Sequence, residues 1–197
     1  MEQILSSYSP HEREMRKNGR PSIGSGLVFP LGEEKIIVDP LEIKAHWPRI
    51  AAIDFGWDHP TAVVWCAIDR DEETFYVYDC YRASKASPTV HAGAIKGRPH
   101  FIPIAYPHDG NRRDSMGNPG LADQYRNLGC NFLLEHFTNP PALGNNKGSN
   151  SIEEGLMAML QAVEGGKFKV FSTLSDWFEE FRMYHRKDNK VVPLRDD

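Results

Sequence analysis

The chain has 197 residues, with 23 Lys and Arg against 27 Asp and Glu and a formal net charge of −4. Such a length buries a full hydrophobic core without staples, and 40% apolar with 25% charged residues is ordinary for a globular domain. The negative balance excludes a protein that grips nucleic acid by bulk positive charge, while leaving room for a local basic rim around an acidic, cation-holding site. Cys66, Cys80 and Cys130 stand far apart with no Cys-x-x-Cys pair, which argues against a zinc ribbon or disulfide framework and fits a reducing compartment; Cys66 and Cys80 lie in strand-like runs and read as buried free thiols. No apolar stretch approaches the ~20 residues of a membrane helix, and the first residues lack the apolar centre of a secretion signal.

Residues 1–49 are rich in Gly, Pro, Ser and charge, with only two short apolar runs at 27–29 and 36–38. This composition reads as a linker carrying at most a small hairpin around Gly32. A core domain is expected over 50–197. Residues 50–55 form a short apolar run suited to a buried strand. Residues 61–68 are β-branched and aromatic, and 74–81 alternate, so the two pair as a hairpin across a polar turn. Ser87-Pro88 opens a helix to about Lys96. A fourth strand is expected at 101–106, then a helix from Pro119 to about Leu128, and a fifth strand at 131–135. Ser151 and Glu154 have the spacing of a capping box. Behind them Ile152, Leu156, Met159, Leu160 and Val163 repeat at helical spacing. A short extended piece follows at 169–171. Ser175 then caps a last helix carrying Trp177, Phe178, Phe181 and Tyr184. Three consecutive strands followed by alternating helices and strands predict an α/β domain. Its sheet is mixed, with antiparallel hairpin strands, then parallel ones, and helices on the faces.

Two acids stand out. Asp54 closes an apolar strand run, where a carboxylate is costly unless something pairs with it. A hard divalent cation such as Mg²⁺ or Mn²⁺ is one such partner, and a turn cap is the plainer alternative. Asp109 repeats the arrangement after the 101–106 run, though His108-Asp109-Gly110-Asn111 is also good turn chemistry. If the two strands are neighbours ~5 Å apart, both carboxylates can meet at one sheet edge. Asp196 and Asp197 end the chain and supply either a helix-start acid pair or a third ligand source. Several carboxylates are what two adjacent dications need to offset their repulsion. Arg112, Arg113, Lys147, Arg182, Arg186, Lys187 and Lys190 are candidates for phosphate contact or ordinary solvated charge. His59, His108 and His185 match no zinc spacing and read as surface or packing residues. No P-loop and no G-x-S-x-G elbow is present.

Asp54-Phe55-Gly56-Trp57-Asp58-His59-Pro60-Thr61-Ala62 resembles the first-strand signature of phage terminase large subunits. Upstream, Ser9-Pro10-His11-Glu12-Arg13, Gly19, Pro21, Gly24-Ser25-Gly26 and Phe29-Pro30 are similar to the segment that joins their ATPase and nuclease domains. Residues 147–160 and the closing Asp196-Asp197 are similar as well. The resemblance implies a ribonuclease-H-like nuclease domain over 50–197, behind a linker from an ATPase domain. Its implied work is to cut concatemeric viral double-stranded DNA during genome packaging in the host cytoplasm. It implies two divalent cations, Mg²⁺ or Mn²⁺. Asp54 is shared between them, Asp109 holds one, and Asp196 or Asp197 holds the other. It also implies a portal protein and a small terminase subunit as partners. A junction-resolvase or transposase-type nuclease of the same fold, a portal- or capsid-docking module without catalysis, and a Ca²⁺-stabilised structural domain are the alternatives.

Overall fold

The computed structural model of the protein describes residues 27–29, 31–113, 117, 119–141, 148–187 and 190–193, with side chains as far as Tyr184. The chain divides into two units. The larger is Ile36–Leu174; the smaller joins Met1–Lys35 to Ser175–Asp197.

The larger unit is built on strands β1 (Ile37–Val38), β2 (Arg49–Asp54), β3 (Thr61–Asp69), β4 (Thr74–Ala83), β5 (Ile104–Ala105) and β6 (Phe168–Phe171). They form one sheet in the order β1-β6-β4-β3-β2-β5. β2, β3 and β4 run antiparallel as a meander. β5 lies parallel to β2, and β6 parallel to both β4 and β1. This is the mixed sheet that the element order predicts. Helix α1 (Pro88–Lys96) connects β4 to β5, and α2 (Leu121–Asn127) and α3 (Ile152–Glu164) lie between β5 and β6.

β3 shows why these residues choose a strand. Thr61, Val63, Trp65, Ala67 and Asp69 are buried and the residues between them are half-buried, the two-residue period of a sheet covered on one face. Val63 and Trp65, with Ala51 and Ile53 of β2, pack against Ala92 and Ile95 of α1 and Ala122 and Tyr125 of α2. Trp65 pairs with Asp79 but Cys66 pairs with Val77, so Tyr78 is an extra residue that bulges β4. Arg98, just past α1, lies 4.5 Å over the Trp65 ring and donates to both carboxylate oxygens of Asp79 at 2.9 and 3.3 Å. None of the three cysteines is in a disulfide, and burial pushes the Cys66 thiol up to about 12.

Three expectations meet a different outcome. The 36–38 run, read as part of a linker, is β1: Ile36 and Val38 carbonyls accept from the Val170 and Ser172 N–H groups at 2.8 Å. Ile36 and Trp47 are also buried. The fourth strand shrinks from 101–106 to two residues, because Pro103 has no N–H to donate and Pro107 follows closely. The fifth shrinks from 131–135 to a single bridge between Phe132 and Ile104. The capping box at α3 forms in modified shape. Glu154 N–H donates to Ser151 Oγ at 3.4 Å, while the Glu154 carboxylate takes the hydroxyl of Ser149 instead of the cap's own N–H.

In the smaller unit, α4 (Ser175–Met183) leads into the hairpin of β7 (Tyr184–Lys187) and β8 (Lys190–Pro193). The aromatic side of α4 is stapled to the other end of the chain. Phe29 stacks on Phe181 and Tyr184 at 5.3 and 6.5 Å, and Phe181 stacks on Trp177 at 5.2 Å. The Val28 N–H donates to the Tyr184 carbonyl, and Arg182 pairs with Glu33.

Candidate metal centre

Because β2 and β5 run parallel as immediate neighbours, both end at the same side of the sheet. Asp54 is the last residue of β2, and Asp109 sits in a single 3-10 turn, His108–Asn111, just past β5. Both carboxylates reach solvent. Asp54 is nevertheless flanked by enough protein that desolvation raises its carboxyl above the ordinary value. The negative charge of Asp109 raises it further, and a hydrogen bond from the Phe55 N–H opposes both. The two acids that stood out in the sequence therefore feel each other's charge across the sheet edge.

The backbone holds each acid in place. Gly110 is buried with Phe55 and Tyr106 against it; a Cβ there would lie 2.7 Å from each ring. Only glycine lets the Asp109 turn settle so close to the residue after Asp54. The turn is closed by Gly110 N–H to the Pro107 carbonyl at 3.0 Å and Arg112 N–H to the Asp109 carbonyl at 2.9 Å. Behind it, the Tyr106 hydroxyl donates to Asn111 Oδ1 at 3.0 Å and receives Arg126 of α2 at 2.9 Å. Arg126 also reaches the carbonyls of Leu133 and Leu134, so one guanidinium ties α2 to the segment beside β5. On the other side, Gly56 N–H donates to Thr61 Oγ1 at 3.1 Å and the Thr61 hydroxyl donates back to the Gly56 carbonyl at 2.9 Å. A Cβ on Gly56 would strike the backbone of His59 and Pro60.

A cleft opens beside the acids. Phe55, Trp57, Thr61, His91, Asp109 and Tyr125 are among the residues that line it. His91 at its floor is buried and faces the Tyr81 hydroxyl at 3.0 Å. Burial holds its pKa below the usual value, against a bond to the Ala86 carbonyl that raises it.

Of the residues singled out in the sequence, Asp54 and Asp109 come together. Arg112 and Arg113 are exposed on the segment directly after the Asp109 turn. Lys147, Asp196 and Asp197 lie outside the described residues, and Arg186 and Lys187 are described in their backbone alone, as part of β7. Among the described residues no group of three His, Cys, Asp or Glu converges. The Thr61 lock, the Gly110 contact and the Arg126–Tyr106 brace have no signal in the sequence pattern. Gly56 and Gly110 are visible in the sequence, but nothing there says that one lies against the His59–Pro60 backbone and the other against the Phe55 and Tyr106 rings.

Residues 51–197 match the family described as the terminase RNaseH-like domain. The terminase large subunit of Salmonella phage P22 is 40% identical over all 197 residues, which correspond to 38% of its own length; the chain thus spans about two fifths of the curated relatives it matches. The solved nuclease domain of the P22 large terminase superposes with a TM-score of 0.76 at 37% identity, covering 87% of this chain and 86% of that one. The large terminase nuclease domain of bacteriophage SPP1, solved with bound Mn, shares the fold at a TM-score of 0.53 and 18% identity, over 80% of this chain and 83% of its own. The chain belongs to the terminase RNaseH-like domain family.

Proposed function

We propose that this domain is a metal-dependent DNA endonuclease that cuts concatemeric viral DNA during genome packaging. The observation that carries the reading is the convergence of Asp54 and Asp109 at one end of the β2–β5 pair, where desolvation and then the Asp109 charge raise the Asp54 carboxyl. Such a pair is unfavourable alone and favourable around a hard cation, so the donor set fits Mg²⁺ or Mn²⁺. The Mn bound by the SPP1 domain supports the same chemistry here. Bound divalent cations supply charge neutralisation at the phosphodiester and stabilise the oxygens that attack and leave.

The chain's own residues have separable duties. Asp54 and Asp109 hold the cations, with Asp196 or Asp197 as the third ligand source. Arg112 and Arg113, which follow Asp109 directly, meet phosphates and fix the register of the duplex. Lys147, Arg186 and Lys187 extend that contact. Double-stranded DNA is the substrate, and portal protein and small terminase subunit are the partners that family membership supports. The setting is the host cytoplasm during phage assembly, and no helix among the described residues is long and apolar enough to cross a membrane.

The test is plasmid nicking with Mn²⁺ by the wild-type chain and by Asp54→Ala. The wild type should nick and linearise, and Asp54→Ala should be slower by at least about a hundredfold, the scale on which removing one preorganised charge acts. Equal rates would end the proposal.

A further inference from the structure

Trp57 has no role in holding cations, and its setting calls for one. Its side chain is 60% exposed, whereas Trp47 and Trp65 are 5% and 1% exposed. Leaving an indole in water forgoes the burial that ordinarily fixes a tryptophan. Yet the backbone beneath it is immobilised. Gly56 on one side is locked to Thr61 in both directions, and the Trp57 carbonyl accepts the Lys85 N–H at 2.8 Å. Lys85 itself holds a left-handed conformation, φ 53°, which a lysine adopts only at a cost. A strained residue thus helps brace the loop that presents the ring.

Trp57 lines the same cleft as Asp109 and stands three residues from Asp54. Three residues of extended chain span at most about 10 Å, or roughly three nucleotide steps at about 3.4 Å per step along one strand. The ring's neighbours Asp58 and His59 are exposed as well, and the cleft it lines carries two further aromatic rings, Phe55 and Tyr125, beside the Asp109 carboxylate. An exposed aromatic face on a braced loop, in a cleft that also holds Asp109, suits the π-face of a nucleobase.

We infer that Trp57 is a stacking post for a base unpaired or unstacked next to the scissile phosphodiester. Every base offers a π-face, so this contact reads deformability and not sequence. The domain should favour duplex that opens easily at the cut, such as mismatches and pyrimidine–purine steps. Trp57 is a substrate-contact residue here and not a cation ligand. The inference rests on the nuclease reading for its substrate, but its test needs no cleavage.

The full chain is titrated in Ca²⁺ with fluorescein-labelled duplexes, one perfectly paired and one with a central mismatch carrying 2-aminopurine. Wild type should bind the mismatched duplex more tightly and quench the 2-aminopurine. W57A should bind the mismatched duplex about tenfold more weakly, the paired one less than twofold more weakly, and leave the probe unquenched. W57F should restore most of the preference. W57A and wild type should share one melting temperature and one Mn²⁺ affinity. If W57A keeps the wild-type ratio between the two duplexes, or quenches the probe as wild type does, the stacking assignment is wrong. Plasmid nicking in Mn²⁺ is scored separately. Nicking without quenching removes the stacking post and keeps the nuclease, whereas quenching without nicking does the reverse.

Discussion

Two parts of one sheet are held by different means. Under α1 and α2, Val63, Trp65, Ile53 and Ala51 meet Ala92, Ile95, Ala122 and Tyr125 in a buried apolar layer. Its stability comes from area removed from water and from close packing. A few residues away, where β2 and β5 stop, two carboxylates face each other at the rim, and apolar burial contributes little. There the geometry is set by a glycine that admits Phe55 and Tyr106, a threonine hydroxyl closed on Gly56, and an arginine that ties Tyr106 to two carbonyls. The core spends its interactions on stability. The rim spends backbone contacts on holding near each other, at the solvent edge, two charges that prefer separation.

That contrast can be broken most forcefully in the core. Trp65→Ala removes a 1%-exposed ring that also carries the Arg98 guanidinium, and should cost about 3–5 kcal/mol in urea denaturation. A loss under about 1 kcal/mol would mean that the layer under α1 is not the main source of stability.

Gly110→Ala sharpens the comparison because it acts on both sides of it. A methyl group 2.7 Å from two rings forces the turn outward, for about 1–3 kcal/mol of overpacking. A displacement of even about 1 Å at Asp109 should lower Mn²⁺-dependent nicking by up to about a hundredfold. If stability falls and the nicking rate per folded molecule does not, Gly110 packs the core and has no part in positioning the acid.

Smaller effects separate Asp54 from the buried His91 by pH. The folded state raises the Asp54 carboxyl above its unfolded value of 3.8, so between those two values the folded chain binds more protons than the unfolded one. Its contribution to stability is therefore largest at low pH and is lost as pH rises through that window. Asp54→Asn removes this loss, and should melt slightly above wild type at neutral pH and level with it near pH 3. His91 runs the other way. Its lowered value makes the neutral ring the folded form, so its contribution is present above about 6.5 and is lost as pH falls through the folded value. His91→Gln should flatten the acid limb of a melting-temperature profile between about pH 7 and 5 and leave the alkaline limb unchanged.

The same division explains what was legible in the sequence. β3 could be read because its alternation is long and one face is buried, and α1 because Ser87-Pro88 marks its start. Asp54 and Asp109 could be picked out because a carboxylate ending an apolar run calls for a partner. β1 could not, since two residues show no period and its partner β6 lies at the far end of the unit. The 101–106 run looks like a strand by composition, but Pro103 and Pro107 remove the donors a longer ladder needs. The Gly110 contact with Phe55 is an accident of two distant segments, invisible until the strands are neighbours. Trp57 stands within the first-strand signature, but only its exposure on a locked loop gives it a task.

The central claim is that Asp54 and Asp109 serve one cation site. Mn²⁺ titration calorimetry on wild type, Asp54→Asn, Asp109→Asn and the double variant tests it most directly. If the site is shared, each single change weakens binding by at least about tenfold, and the second change costs little more once the first is made, because residues acting as a unit are non-additive. Mn²⁺ affinity that survives both single changes, or losses that simply add, would contradict the shared site and the nuclease reading built on it.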